Sequence, residues 1–246
     1  MKAPRGQNFL QQASWLRRVA EAVGPASALL EIGGGPGGLS QLLAAQAQRF
    51  WVVESDARLA AGLRTRFPGT IEGDVLALDF TALAEGEGVG QWRIAGNLPY
   101  YITSPILLHL FRHAARISDA TLMVQREVGE RLVAQPGTRA YGLLTATTRL
   151  YARPQRLFDL PPGAFRPAPQ VHSTLLRLDF APRAAELGVE EAEFLAFLRR
   201  AFAHKRKQLA SYLGDPARAG LGARARAEEL SLEELAALSR VHGGGV

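Results

Sequence analysis

The chain has 246 residues, 47% hydrophobic and 21% charged, with a formal net charge of +6. That length buries a real core and suits one large domain, or one with a small appendage. Cysteine is absent and the five histidines are scattered, which excludes disulfides and thiolate metal sites, fits a reducing cytoplasm and leaves no metal site to read. No apolar run approaches the ~20 residues of a membrane span, and residues 1–10 lack the apolar core of a secretory signal.

Charge is unevenly spread. Residues 1–20 carry four basic groups and no acid; residues 21–92 carry nine acids against four arginines; residues 93–180 carry eleven arginines against five acids. The last 66 residues are nearly balanced, ten basic to nine acidic. Charge thus changes sign between residues 21–92 and 93–180, and the basic side favours a polyanion such as nucleic acid. The competing origin is an arginine-rich composition, since lysine occurs only at Lys2, Lys205 and Lys207.

Apolar spacing predicts a helix over 15–23 and a short buried strand over 28–32. That strand opens into Glu31-Ile32-Gly33-Gly34-Gly35-Pro36-Gly37-Gly38, a loop with almost no side chains, followed by a helix over 39–46. Glycines such as Gly33 and Gly35 let backbone turn tightly and approach a bound molecule. A carboxylate at Glu31 would repel a pyrophosphate but favour a cation, so the loop suits the ammonium and sulfonium of S-adenosylmethionine. A generic nucleotide loop or tight turn is the alternative.

A strand over 50–53 ends at Glu54, placed to accept both hydroxyls of a ribose; a helix over 57–67 follows. The strand 70–72 closes on Gly73-Asp74. Asp74 can accept the amino group of a cofactor adenine while neighbouring backbone at Val75 serves the ring nitrogens; an Asx turn or helix N-cap is the other common use of Gly-Asp. Asp56 and Asp79 are assigned to capping or solvent. Three acids at three successive strand ends form a narrower pattern than any one of them.

After a glycine-rich loop near 85–90 comes a strand over 92–95 and then Asn97-Leu98-Pro99-Tyr100. The N6 lone pair of adenine is delocalised, so the amine is a poor nucleophile. The Asn97 side-chain oxygen and the Leu98 carbonyl can accept its two N–H groups, aim the lone pair at a methyl donor and preorganise the site. Pro99 stiffens the turn and Tyr100 can stack on the base. Without the acids before it, the tetrapeptide reads as a strand-terminating turn.

Helices over 106–115, 126–134 and 142–152 and strands over 120–125, 158–160 and 171–180 complete an alternating pattern. It predicts a doubly wound, mostly parallel sheet with a late antiparallel pair. In the proline-rich loop 161–169, Phe165 is the only aromatic, and it reads either as a second stacking face for a flipped base or as a core residue. Beyond Ala181-Pro182 the pattern is helical only: 190–203, 205–213, 216–220, 223–229 and 232–238, the last with a Ser231/Glu234 capping box. The predicted domains are 1–181, cofactor-binding and catalytic, and 182–246, helical and RNA-contacting. The run His204-Lys205-Arg206-Lys207 begins one of these helices, as a solvated end or a phosphate contact.

At these residues the chain resembles the ribosomal RNA adenine N6-dimethyltransferase family, and within it the bacterial small-subunit (16S) branch. The likeness runs through Gly6-Gln7-Asn8-Phe9-Leu10, the Glu31 loop, Val53-Glu54, Gly73-Asp74, Asn97 to Tyr100, Val124-Gln125-Arg126-Glu127-Val128, Tyr141-Gly142, residues 160–169 and residues 202–209. It implies a class I S-adenosylmethionine-dependent methyltransferase fold, Rossmann-like, with a small C-terminal helical domain. It implies Asn8 and Leu10 as a lid on the cofactor, and Gly33, Glu54, Asp74 and Asn97 as cofactor contacts. The implied reaction gives N6,N6-dimethyladenosine at two adjacent adenosines in the 3′-terminal hairpin loop of 16S rRNA, with S-adenosylhomocysteine as coproduct and no metal. The implied setting is the assembling 30S subunit in the cytoplasm, with a monomeric enzyme.

The chain departs from the family at three places: Gly34 stands where a proline is usual, Ser55 where an apolar residue is frequent, and His172 where an aspartate is common. A 23S rRNA adenine methyltransferase of the macrolide-resistance type shares the core motifs, but the helical tail leans against it. A nicotinamide-dependent oxidoreductase would leave Asn97 to Tyr100 without a role. An RNA-binding assembly module without activity would leave the acids and Asn97 unexplained.

Overall fold

The computed structural model describes residues 8–204 and 207–242. Its centre is a seven-stranded sheet in the order β4-β3-β2-β5-β6-β9-β7. The strands are β2 (Ala26–Ile32), β3 (Ala47–Glu54), β4 (Thr70–Glu72), β5 (Trp92–Asn97), β6 (Ile117–Gln125), β7 (Ala152–Leu160) and β9 (Ser173–Phe180). A separate two-stranded pair joins β1 (Phe9–Leu10) to β8 (Phe165–Arg166), antiparallel, with Phe9 opposite Arg166 and Leu10 opposite Phe165.

Strand β2 is central because its last five residues are buried on both faces, the mark of a parallel strand with helices on either side. It pairs in parallel with β3 and with β5, and β5 pairs in parallel with β6. The late β6–β9 pair is antiparallel, from Asp119 opposite Asp179 to Gln125 opposite Ser173. From β2 the chain winds outward through β3 and β4, then returns to place β5 on the other side of β2. The winding direction reverses there, and the carboxyl ends of β2 and β5 part to open a crevice. Ile32 pairs with Gly96 at that rim, which puts the glycine loop and Asn97 side by side.

Helices α1 (Ala13–Val23), α2 (Gly38–Gln46), α3 (Ala57–Arg64), α4 (Phe80–Glu87) and α5 (Thr103–Arg112) connect or precede the strands. Asp56 caps α3 by accepting from Arg58 and Leu59 N–H groups, and Asp79 caps α4 by accepting from Thr81 and Ala82. The sequence predicts no helix over 80–87 and a glycine-rich loop near 85–90, which α4 overlaps at its C-terminal end. Its cap and the burial of Phe80 and Ala84 carry it through Gly86 to Gly88, where a left-handed residue ends it.

The chain divides into two compact units. One runs up to Gly129 and resumes over Gln155–Phe180; the other comprises Glu130–Pro154 and Ala181 onward. Helix α7 (Leu143–Tyr151), which precedes the predicted boundary at residue 182, therefore belongs with the C-terminal helices. Within this second unit α8 (Glu191–Ala201) buries Phe194, Phe197 and Leu198. Helix α9 (Leu232–His242) starts at the expected capping box: Ser231 N–H donates to Glu234 and Glu234 N–H to the Ser231 hydroxyl. The predicted helices over 205–213, 216–220 and 223–229 are corrected to short 3₁₀ turns at Leu209–Ser211, Pro216–Ala219 and Ala227–Glu229. Gly214, Pro216 and Gly220 interrupt that stretch too often for an α-helix to propagate. Lys205 and Arg206 of the basic run lie outside the described residues.

Candidate active site

The crevice at the switch point is walled by Asn8 and Phe9 from the N-terminal segment, Ile32 and Gly33 after β2, and Val53, Glu54 and Ser55 after β3. Gly73, Asp74 and Val75 after β4, and residues 97–102 with Ile106 after β5, complete it. Four strand ends that lie between Ile32 and Asn97 in the sequence thus meet at one place.

Gly33 follows β2 at φ +76 and donates its N–H to the Val53 carbonyl at 2.8 Å. A β-carbon there would meet only the Asn97 carbonyl, 3.7 Å away, so this wall is bare backbone held in a conformation that glycine adopts without strain. Gly35, at φ +53, has a different role. A β-carbon on it would lie 2.7 Å from the Phe9 ring, and its N–H donates to Glu54 Oε2 at 2.9 Å. Gly35 does not line the crevice; it lets Phe9 pack against the loop and steadies Glu54.

Glu54 is 4% exposed, and its second oxygen accepts the Asp56 N–H at 2.9 Å. A carboxylate has about four acceptor sites, so both oxygens keep capacity for ribose hydroxyls while two backbone bonds fix its orientation. Asp74 serves the second use considered for it, one oxygen accepting from the Leu76 N–H to cap a 3₁₀ turn at Val75–Ala77, and the residue also lines the crevice beside Val75.

Glu31 lies outside the crevice wall. It is 1% exposed, and its Oε2 and the Ser40 Oγ have no hydrogen-bond partner among the described residues. Burial pushes its carboxyl up to about 8, and the charge of Glu54 adds to the shift. A buried acid with an unused oxygen beside a glycine loop suits a cationic group, which would restore its charge.

Asn97 ends β5 and donates its side-chain amide N–H to the Asn8 carbonyl at 2.7 Å. With that nitrogen engaged, the side-chain oxygen is the acceptor Asn97 can offer. Leu98 keeps its side chain buried and donates its N–H to the Met123 carbonyl at 3.1 Å. Pro99 accepts from the Thr103 hydroxyl. The Tyr100 hydroxyl sits 2.6 Å from Ser173 Oγ, and burial raises its pKa. The turn is therefore tied to β6, α5 and β9.

Two further expected site residues fall elsewhere. Phe165 is 0% exposed and packs in the core with Leu10, Leu160 and Leu175, so it offers no open face to a base; the apolar surroundings favoured the core reading. Leu10 pairs with it across the β1–β8 ribbon and also faces the core, so its side chain is not part of a lid. Asn8 does line the crevice. Sequence reasoning passed over Phe9, Ser55, Tyr101, Ile102 and Ile106 as wall residues, and Ser173 as the partner of Tyr100. Only Tyr101 carried a readable signal, an aromatic directly after the tetrapeptide. Among the described residues no cluster of His, Asp or Glu could hold a metal ion, and no helix is long and apolar enough to cross a membrane.

A mostly parallel sheet with its switch-point crevice, a glycine loop after the first core strand and an acid ending the next give the chain the fold of a class I methyltransferase. Comparison with known proteins narrows this: the chain belongs to the ribosomal RNA adenine dimethylase family, whose model matches residues 1–231. The ribosomal RNA small subunit methyltransferase A of Acidobacterium capsulatum is 48% identical, over 97% of this chain and 90% of its own. Among solved structures, a dimethyladenosine transferase from Plasmodium falciparum shares the fold at TM-score 0.77 and 21% identity, covering 94% of this chain and 95% of its own. The 23S rRNA methyltransferase ErmE does so at TM-score 0.72 and 24% identity, covering 96% and 100%. Both structural likenesses speak to the fold.

Proposed function

We propose that the crevice binds S-adenosylmethionine and methylates N6 of two adjacent adenosines near the 3′ end of 16S rRNA. The glycine loop lies against the cofactor's methionine end, Glu54 takes the ribose hydroxyls and Asp74 with Val75 backbone takes the adenine. Glu31 supports the cationic end from beneath the loop. When bound, the cofactor supplies an electrophilic methyl group on sulfur and leaves as S-adenosylhomocysteine.

The remaining chemistry belongs to this chain's residues. The Asn97 side-chain oxygen and the Leu98 carbonyl accept the two amino N–H groups of the target adenine and turn its lone pair out of conjugation. Pro99 and the Tyr100–Ser173 hydrogen bond hold the stacking ring in place. No strong base is required, because the amino proton becomes acidic once nitrogen carries the new methyl and leaves to water. The observation that supports this reading most directly is the Asn97–Asn8 hydrogen bond, which engages the amide nitrogen of a residue lining the crevice and leaves its oxygen as the acceptor.

The helical residues from 182 onward supply RNA contacts in this reading, and a monomer acts in the cytoplasm on the small subunit during its assembly. The name of the 48% identical relative supports the small subunit as substrate. The test is mass spectrometry of rRNA after incubating unmethylated 30S and 50S subunits with the pure protein and cofactor. Dimethyladenosine pairs in 16S rRNA are expected. Methyl groups confined to 23S rRNA would overturn the assignment.

A further inference from the structure

Two consecutive tyrosines follow Pro99, and the structure treats them differently. Tyr100 is partly buried with its hydroxyl held by Ser173. Tyr101 lines the crevice mouth yet is 69% exposed, the most open large hydrophobic side chain among the described residues. Both lie in a 3₁₀ turn spanning Tyr100–Ile102. At three residues per turn, successive side chains diverge by about 120°, so the two rings do not share one base. The backbone beneath Tyr101 is secured on both sides: Ile102 N–H donates to the Pro99 carbonyl at 3.2 Å, and the Thr103 hydroxyl donates to it at 3.1 Å.

We infer that Tyr101 is a stacking platform for the unpaired nucleotide next to the target adenosine. This rests on the proposed RNA substrate and adds a positioning residue to it. Every base presents a π-face, so an exposed ring on a rigid mount at the rim of a base-binding crevice takes whichever base emerges beside the flipped one. Fixing the neighbour limits how the strand enters while leaving the methyl-accepting nitrogen to Asn97 and Leu98. The platform therefore acts on RNA capture and not on chemistry.

The experiment compares wild type with Tyr101→Ala, Tyr101→Phe and Tyr101→Leu on unmethylated 30S subunits. Tyr101→Ala is expected to raise KM for the subunit roughly tenfold, equivalent to about 1.4 kcal/mol within the range for one stacked base, with kcat nearly unchanged. Tyr101→Phe restores KM and Tyr101→Leu does not, because the flat ring and not apolar bulk is needed. Cofactor affinity by calorimetry stays at the wild-type value. An unchanged KM in Tyr101→Ala overturns the platform. A loss in kcat or in cofactor affinity in its place also overturns it, by placing the ring on the target base or the cofactor. Filter binding of 30S subunits by wild type and Tyr101→Ala decides the point even if wild type transfers no methyl group; that last result would sink the functional reading separately.

Discussion

The side-chain amide of Asn97 donates to the backbone carbonyl of Asn8 at 2.7 Å, across 89 residues of sequence. This bond joins the N-terminal segment to the end of β5 and orients the side-chain oxygen proposed to accept from the target amine.

Replacing Asn97 by alanine removes that acceptor and loosens the Asn8 segment together. Turnover is expected to fall at least a hundredfold, the scale for losing one preorganised polar group at a reacting centre. The fold and 30S binding persist. Methyl incorporation set beside thermal unfolding and subunit binding checks this, and activity within threefold of wild type would remove Asn97 from the mechanism.

Glu31 sets a pH dependence whose sign follows from its environment. Burial pushes its carboxyl up to about 8 in the folded protein, against 4.5 for an exposed glutamate. The folded state thus holds a proton that the unfolded state has released between those values. Stability from this group is full below pH 4.5, declines as pH rises to 8, and is flat beyond. Glu31→Gln carries no titrating proton, so the cofactor-free variant should be more stable than wild type at pH 8 and converge with it near pH 4.5. Urea midpoints at pH 5, 6.5 and 8 measure the difference, and parallel curves for the two proteins would refute it. Cofactor affinity in the variant should fall, because the neutral amide cannot compensate a cation.

Gly34 stands where the family usually has proline, and the surroundings account for the smaller residue here. A β-carbon would lie 2.5 Å from Val52 Cγ2 and 2.8 Å from Leu63 Cδ1, and Val52 is a fully buried β-branched residue with little rotamer freedom. Gly34→Ala should cost about 1–3 kcal/mol through overpacking, which lowers Tm by roughly 2–4 °C per kcal/mol in a chain of this size. A Tm equal to wild type would show that this packing yields without cost.

Phe165 belongs to the core with Leu10 across the β1–β8 ribbon. Phe165→Ala is therefore expected to destabilise the protein by about 3–5 kcal/mol, visible as a large drop in urea midpoint with cofactor absent. A loss below 1 kcal/mol would mean that the ring spends its time outside the core.

Much of the fold was legible in the residues themselves. The order of apolar strands and amphipathic helices predicted the wound sheet, because period-2 and period-3.6 burial leave different marks in a sequence. Glu54, Asp74 and Asn97 were readable because each ends a strand or follows one closely and bears chemistry that a core does not need. Tertiary contacts were not readable in the same way. Phe165 looked equally suited to stacking and to packing until Leu10 was seen opposite it. The tail looked helical on composition, yet Gly214, Pro216 and Gly220 divide most of it into single turns.

The amino-acid sequence alone determined the chemistry on offer: acids at three successive strand ends, a glycine loop, and an amide followed by a stiff aromatic turn. Only the folded chain decided which of those groups face one another. It sent β5 back beside β2, so that Gly33 and Asn97 share a rim. It buried Glu31 beneath the loop with an unused oxygen, and it left Tyr101 facing solvent while its neighbour was held by Ser173. Residue type and spacing are local properties, whereas burial and hydrogen-bond partnership depend on segments brought together from about ninety residues apart.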